Sequence, residues 1–207
     1  MLYAIAHFLR DKCPFIWDLI DIINSILFSL RYGSKMRQIP SILQQYEGDY
    51  KIILMSQYPT DKLVDFFSHQ SEDTFRFFKP HGFDAISLKK LQRNKSFLAF
   101  LLIDAESSDI AGYCFNRCFF HGKGFRGRMV DCNYRGKGLG TMMNKILNDV
   151  GFGIGLRLFE TVSKDNIPSY RSAVSASNFR ILKEFPNNEL YLEILNNKNT
   201  HDTKMDI

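Results

Sequence analysis

No two cysteines of this 207-residue chain stand in C-x-x-C spacing, and none of the four, Cys13, Cys114, Cys118 and Cys132, has a histidine at zinc-finger distance. A disulfide framework and a structural zinc site are therefore excluded as organising principles, no metal is expected, and reduced, cytoplasmic thiols are the plain reading. Long uncharged hydrophobic runs are also missing. The most apolar stretch, residues 1–33, is interrupted by Arg10, Asp11, Lys12, Asp18, Asp21 and Arg31, well short of the ~18 apolar residues that a membrane-spanning helix needs. There is no internal repeat. Charge of one sign is only mildly in excess: a net +5 tilts the chain toward anionic ligands. With no surface motif interleaving aromatic and basic residues, nucleic acid is not an expected partner. The length is too small for two full-sized domains, and the 19 phenylalanines indicate one well-filled core with an appendage.

Three regions follow from the texture: an N-terminal helical extension over 1–46, a main domain over 47–196 and a polar tail over 197–207. In the extension, Asp11, Asp18, Asp21, Ser25 and Ser29 recur at three, four or seven and share one helical stripe, opposite a broad apolar face. Pro14 kinks or restarts this helix. Its apolar face has three open uses: packing on its own domain, forming a homodimer, or lying peripherally on a membrane surface.

The main domain alternates short apolar runs with amphipathic ones. "YKIILMS" reads as a strand, "TDKLVDFFSHQ" as a helix entered at Pro59, "SEDTFRFFKPHGFD" as a segment containing a turn, and "DAISLKKLQRN" as a second helix. "SFLAFLLID" and "DIAGYCFNRCFF" are strands joined through the polar turn "AESSD", and "GFRGRMV" is a third. A helix over 138–150, the strand "GLRLFETVS", the helix "NIPSYRSAVSASNF" and a closing hairpin around Pro186 complete the order. This pattern predicts an α/β (α+β) fold with a mixed, mostly antiparallel sheet flanked by helices.

Between the third strand and its helix lies Arg135-Gly136-Lys137-Gly138-Leu139-Gly140. A helix N-terminus leaves about four N–H groups unpaired and carries roughly half a positive charge, which attracts an oxyanion. Glycines let successive N–H groups turn inward as a nest, and Arg135 and Lys137 add formal charge. A pyrophosphate suits such a loop. Two rival phosphate loops fail: Gly122 to Gly127 continues with Arg128-Met129 where a Walker motif requires Lys and Ser or Thr, and G-x-G-x-G lacks the Rossmann spacing.

The stretch Val130 to Gly140 resembles the acyl-CoA motif, Arg/Gln-x-x-Gly-x-Gly/Ala, of the GNAT superfamily of N-acetyltransferases, and "FETVSKDNIPSYRSAVSASNF" is similar to its second motif. The similarity spans roughly Asp49 to Asn196. It implies a GNAT-like fold, acetyl-CoA as co-substrate and direct attack by a primary amine. It further implies that Arg128, Met129 and Val130 pair with pantetheine through their backbone, beside a strand that splays away. Arg135, Gly136, Lys137, Gly138, Leu139 and Gly140 would cradle the pyrophosphate, and Asn166 would bind the pantetheine arm. An N–H near Val130 would act as the oxyanion donor.

The usual acid and base of that family are not in their places. The position of a leaving-group tyrosine holds Ala173, a frequent carboxylate position holds Thr161, and Glu160, one residue off, faces the other side of its strand. Tyr170 is the nearest phenol, one turn away. His81, between Pro80 and Gly82, and His121, in "FFHGKG", are candidate bases, and each also reads as a hydrogen-bonded turn residue. His69 and His201 read as surface residues, and His7 belongs to the N-terminal helix. "FRFFKPHGFD" is similar to GNAT-like enzymes of bacterial surface-polysaccharide pathways, which makes a nucleotide-linked amino sugar or another small amine the expected acceptor. Peptide or protein N-acetylation, and a catalytically silent acyl-CoA-binding module acting through its N-terminal helix, are the alternatives.

Overall fold

The computed structural model describes residues 14–196, with side chains from Ile16 onward. Cys13, Asp11, His7, His201 and the polar tail lie outside the described residues. The chain opens with α1 (Pro14–Met36) and α2 (Ile39–Gln44), then β1 (Tyr50–Leu54), a 3-10 turn, α3 (Thr60–Ser68), α4 (Glu72–Phe77) and α5 (Ala85–Arg93). There follow β2 (Phe97–Asp104), β3 (Ile110–Cys118), β4 (Lys123–Val130), α6 (Leu139–Gly153), β5 (Arg157–Ser163), α7 (Ile167–Ala176), β6 (Phe179–Glu184) and β7 (Glu189–Ile194). Each strand and long helix expected from the sequence is present. One element was missed: α4 occupies the start of the segment expected to contain a turn. Its signal was there, since Ser71 accepts from Thr74 N (3.4 Å) and Glu72 and Asp73 follow in the first turn.

All seven strands form one sheet in the order β1-β2-β3-β4-β5-β7-β6. Every pairing is antiparallel except β4 with β5. β2 is buried on both faces, which is why its sequence is an unbroken apolar run and not an alternation. Leu98, Phe100 and Leu102 point toward α6, whose Leu139, Met143, Ile146, Leu147 and Val150 fill that side together with Phe28 and Tyr32 of α1 and Ile39 and Leu43 of α2. Ala99, Leu101 and Ile103 point the other way, onto Leu63 and Phe67 of α3 and Leu88 of α5. Helices thus cover both faces of the sheet.

The N-terminal helix docks the opposite way round from a simple amphipathic expectation. α1 is described from Pro14 onward, and the expected kink or restart at that proline turns on residues outside the described ones. Apart from Phe28, Tyr32 and Met36, the side that meets the domain is the polar stripe. Asp18 pairs with Lys90, and Asp21 accepts two bonds from Arg117 Nη2 (3.0 and 3.1 Å). Asn24 donates to Cys118 O (3.0 Å) and accepts from Phe120 N (3.0 Å), and Ser25 Oγ accepts from Lys95 N (2.9 Å). The reading in which the helix packs its broad apolar face on its own domain is therefore corrected: α5, the connection from α5 to β2, and the end of β3 with the turn after it offer backbone groups and cations that only polar partners satisfy.

Candidate active site

β4 and β5 run parallel and stay paired only from Lys123 to Phe125 opposite Arg157 to Phe159, after which they diverge. On its other edge β4 remains paired with β3 as far as Val130. Lys123 O and Asp131 N both bond toward β3, so strand alternation turns the amides of Arg126, Arg128 and Val130 toward the gap. The gap opens into a cavity of about 940 Å³ that carries Arg128, Met129 and Val130 on one wall and Asn166 and Ser169 on the other. Its mouth is formed by Arg135, Gly136, Gly138, Leu139 and Gly140.

The loop at the mouth has the geometry that its glycines suggested. Gly136 and Gly138 sit at φ 79° and 80°, in the left-handed region that side-chain-bearing residues rarely adopt, and a Cβ at either would meet open space. The amides from Arg135 to Gly140 donate to no acceptor among the described residues; the first N–H groups with partners are those of Thr141 and Met142, both on Gly138 O. Six consecutive free N–H donors at a helix N-terminus make an electropositive concavity. Gly140 serves a second purpose: a Cβ there would lie 3.3 Å from Ser172 Cβ, so the glycine lets α7 approach closely.

Of the ten residues expected to hold acyl-CoA, nine line the cavity. The exception is Lys137, whose Nζ lies 4.7 Å from the centre of the Tyr134 ring and outside the lining. Arg135 Nη2 donates to Thr74 Oγ1 (2.9 Å), which ties the loop to α4. Asn166 Oδ1 accepts from Ser169 N (3.2 Å) as the cap of α7, leaving its Nδ2 donors for another partner. The three candidate catalytic residues are not brought to the cavity. His121 stacks on Phe119 at the start of β4, the end far from the loop, and Tyr170 packs against the core beneath α7.

His81 has both ring nitrogens occupied, Nδ1 with Gly82 O (2.8 Å) and Nε2 with the Tyr113 hydroxyl (2.9 Å), amid Phe67, Phe83, Phe97 and Phe115. Burial lowers its pKa to about 4, against a rise from the Gly82 bond and with a further lowering from Arg117. A ring neutral in the folded chain and protonated below ~6.5 when unfolded makes stability fall as pH drops from about 6.5 to about 4, by on the order of 3 kcal/mol. Urea midpoints measured across that range should show this acid limb in the wild type, and His81→Gln should flatten it.

The floor of the cavity holds a cluster that the sequence reading did not assemble. Glu160 accepts from Arg126 Nε through Oε2 (2.7 Å) and from Arg128 Nη1 through Oε1 (2.6 Å), with all three side chains at most 5% exposed. Arg128 Nη2 also donates to Ser169 O (2.8 Å), and Arg126 Nη1 to Asn148 Oδ1, so the cluster joins β4, β5, α6 and α7. Glu160 does face away from Thr161, as strand alternation required. Burial pushes its carboxyl up, but the Arg128 and Arg126 guanidinia outweigh burial and hold it below the usual carboxylate range. The trio carries a net positive charge, and Arg126 Nη2 has no acceptor among the described residues. Two cations spaced two apart on a central strand were the signal for a buried counter-charge.

The third wall is α4 and the residue after it, with Asp73, Thr74, Arg76, Phe77 and Phe78 on the cavity. Cys114 and Cys118 are buried free thiols on β3, and Cys132 is an exposed one. Among the described residues no helix is long and apolar enough to cross a membrane.

A parallel pair splaying open beside a glycine loop that begins a helix is the architecture of the GNAT acetyltransferases, and the chain has their fold. Solved structures sharing it include the GNAT domain of S. lividans PAT, with a TM-score of 0.61, 12% identity and coverage of 72% of this chain and 92% of that one. The ribosomal-protein-S5-alanine acetyltransferase from Vibrio fischeri gives a TM-score of 0.61 at 16% identity, over 74% of this chain and 96% of that one. AAC(6')-Ib in complex with paromomycin and acetyl-CoA gives 0.53 at 14% identity, over 77% and 100%. No family model and no curated protein sequence matches the chain.

Proposed function

We propose that this chain is an acetyl-CoA-dependent N-acetyltransferase acting on a primary amine. The observation that carries the reading is the row of six amides, Arg135 to Gly140, without an acceptor among the described residues, five of these residues lining the mouth of the cavity between β4 and β5. In this reading the amides and the helix N-terminus receive the pyrophosphate. The pantetheine arm runs down the gap, bonding to the edge of β4 and to Asn166. The thioester carbonyl then meets the β4 amides that face the gap, and one of them stabilises the oxyanion as the amine attacks. The C–N bond forms, the C–S bond breaks, and CoA leaves as the thiol. Holding amine and thioester in line supplies most of the acceleration, with no covalent protein intermediate.

The acceptor we favour is an amino sugar, nucleotide-linked or free. Asp73 beside Phe77 and Phe78 on the outer wall offers a carboxylate for an ammonium and aromatic faces for the apolar side of a sugar ring. AAC(6')-Ib, of the same fold, is known in complex with paromomycin, whereas the Vibrio fischeri protein of that fold is named for a ribosomal-protein alanine; a peptide amine is accordingly the competing acceptor. A silent acyl-CoA-binding module is the second reading, favoured by the fully buried Ala173 where a tyrosine acid would stand. Thiol release from acetyl-CoA over a panel of amino sugars, polyamines and peptides separates the three: turnover should be fastest with an amino sugar. Fastest turnover with peptides would move the acceptor, and CoA binding without turnover on any amine would favour the silent module.

A further inference from the structure

Because α1 spends its polar stripe on its own domain, the apolar residues face outward. Ile16, Leu19, Ile20, Ile22, Ile23, Ile26, Leu27 and Leu30 are all exposed, from 38% at Leu27 to 79% at Leu30. Taking about 200 Å² for a fully exposed Ile or Leu, they present roughly 800 Å² of aliphatic surface. That exceeds the ~300–600 Å² of the largest apolar patch on a typical monomer and equals the ~800 Å² that one partner brings to a specific interface.

The spacing says what kind of surface covers it. Ile16, Ile23 and Leu30 recur every seven residues with Leu19 and Ile26 between them, and Ile20 and Leu27 widen the stripe on one side. A repeat of 3.5 residues is the seam of a helix that packs against another helix, knobs into holes. A helix lying on lipid instead carries lysines and arginines along its polar face. Here that face carries Asp18 and Asp21, already consumed by Lys90 and Arg117, and its two cations stand only at the C-terminal end, Arg31 donating to Phe120 O (3.0 Å) and Lys35 in the last turn.

We propose that the outward face of α1 is the seam of a homodimer, packed about a two-fold axis against the same face of a second copy of this chain. The interface is isologous, so one self-complementary stripe suffices and it closes without further growth. It lies on the part of α1 that faces away from the sheet, so the cleft between β4 and β5 has no role in it.

Sedimentation of the full-length chain at micromolar concentration tests this. The wild type should run as a dimer, and Ile23→Asp combined with Ile26→Asp should weaken association at least about a hundredfold, giving a monomer with unchanged far-ultraviolet circular dichroism. Leu30→Lys, at the most exposed position, should weaken it about tenfold by itself and serves if the double variant misfolds. A monomeric wild type, whether residues 1–13 cover the face or leave it bare, overturns the proposal, and so does a dimer indifferent to both variants. Flotation of wild-type monomers with phosphatidylserine-containing vesicles would equally overturn it and assign the face to lipid.

Discussion

Gly138→Glu is expected to lower affinity for CoA about a thousandfold while the chain still folds. Two effects combine. Gly138 is the N-cap of α6 at φ 80°, and a side-chain-bearing residue held there costs ~1–2 kcal/mol or shifts the turn that aims the amides. The added carboxylate would stand beside the diphosphate, and two like charges ~5 Å apart at an effective dielectric of ~20 repel by about 3 kcal/mol. Together these reach about 4 kcal/mol, three orders of magnitude in a binding constant. A Cβ at this position meets nothing within 4 Å, so the fold itself has room for the change. Gly138→Ala isolates the backbone part and should lose roughly tenfold. Lys137→Ala should lose less still, because that ammonium rests over the Tyr134 ring outside the cavity lining. Titration calorimetry with CoA, beside a urea melt for each variant, reads both quantities.

The second large effect is on stability. Glu160→Gln removes the carboxylate that two buried guanidinium groups share, leaving Arg126 and Arg128 facing each other without a counter-charge. Breaking a buried pair in this way costs ~3–5 kcal/mol, and at ~2–4 °C per kcal/mol for a chain of this size the melting temperature should fall by about 6–20 °C. Replacing all three residues by apolar ones of similar volume should cost far less, because the desolvation of the charges disappears with their attraction. If the single and triple variants lose stability equally, the cluster acts through packing volume and not through charge. The wild-type contribution of Glu160 has its own pH signature. A carboxyl held below its unfolded pKa stabilises the chain above that pKa and ceases to do so as pH falls through the folded value, so stability should fall more steeply toward acid in the wild type than in the triple variant.

Much of this site could be read before the fold was in hand, and for a physical reason. The loop from Arg135 to Gly140 is a local object: its glycines, the helix that follows and the strand before it are contiguous in sequence, and so are Asn166 and the helix it caps. What was not legible depends on partners distant along the chain. Glu160 meets Arg126 and Arg128 across more than 30 residues, and Asp21 and Asn24 of α1 meet Arg117, Cys118 and Phe120 across more than 90. Amphipathicity fixed that α1 has two faces but not which of them the rest of the chain would need. His81 illustrates the converse. Its position between Pro80 and Gly82 suggested a functional turn, while the aromatic cage and the Tyr113 hydroxyl that hold it come from β2, β3 and α3. The short helix α4 was masked by the turn residues that follow it, although Ser71 and its two acids marked its start.

The central claim concerns where a diphosphate rests, and a crystal structure of the chain grown with CoA tests it most directly. The account predicts pyrophosphate oxygens within about 3.2 Å of the amides of Gly136 to Gly140, with the pantetheine arm between β4 and β5. CoA bound elsewhere, or those amides turned onto protein acceptors with CoA present in excess, would contradict it.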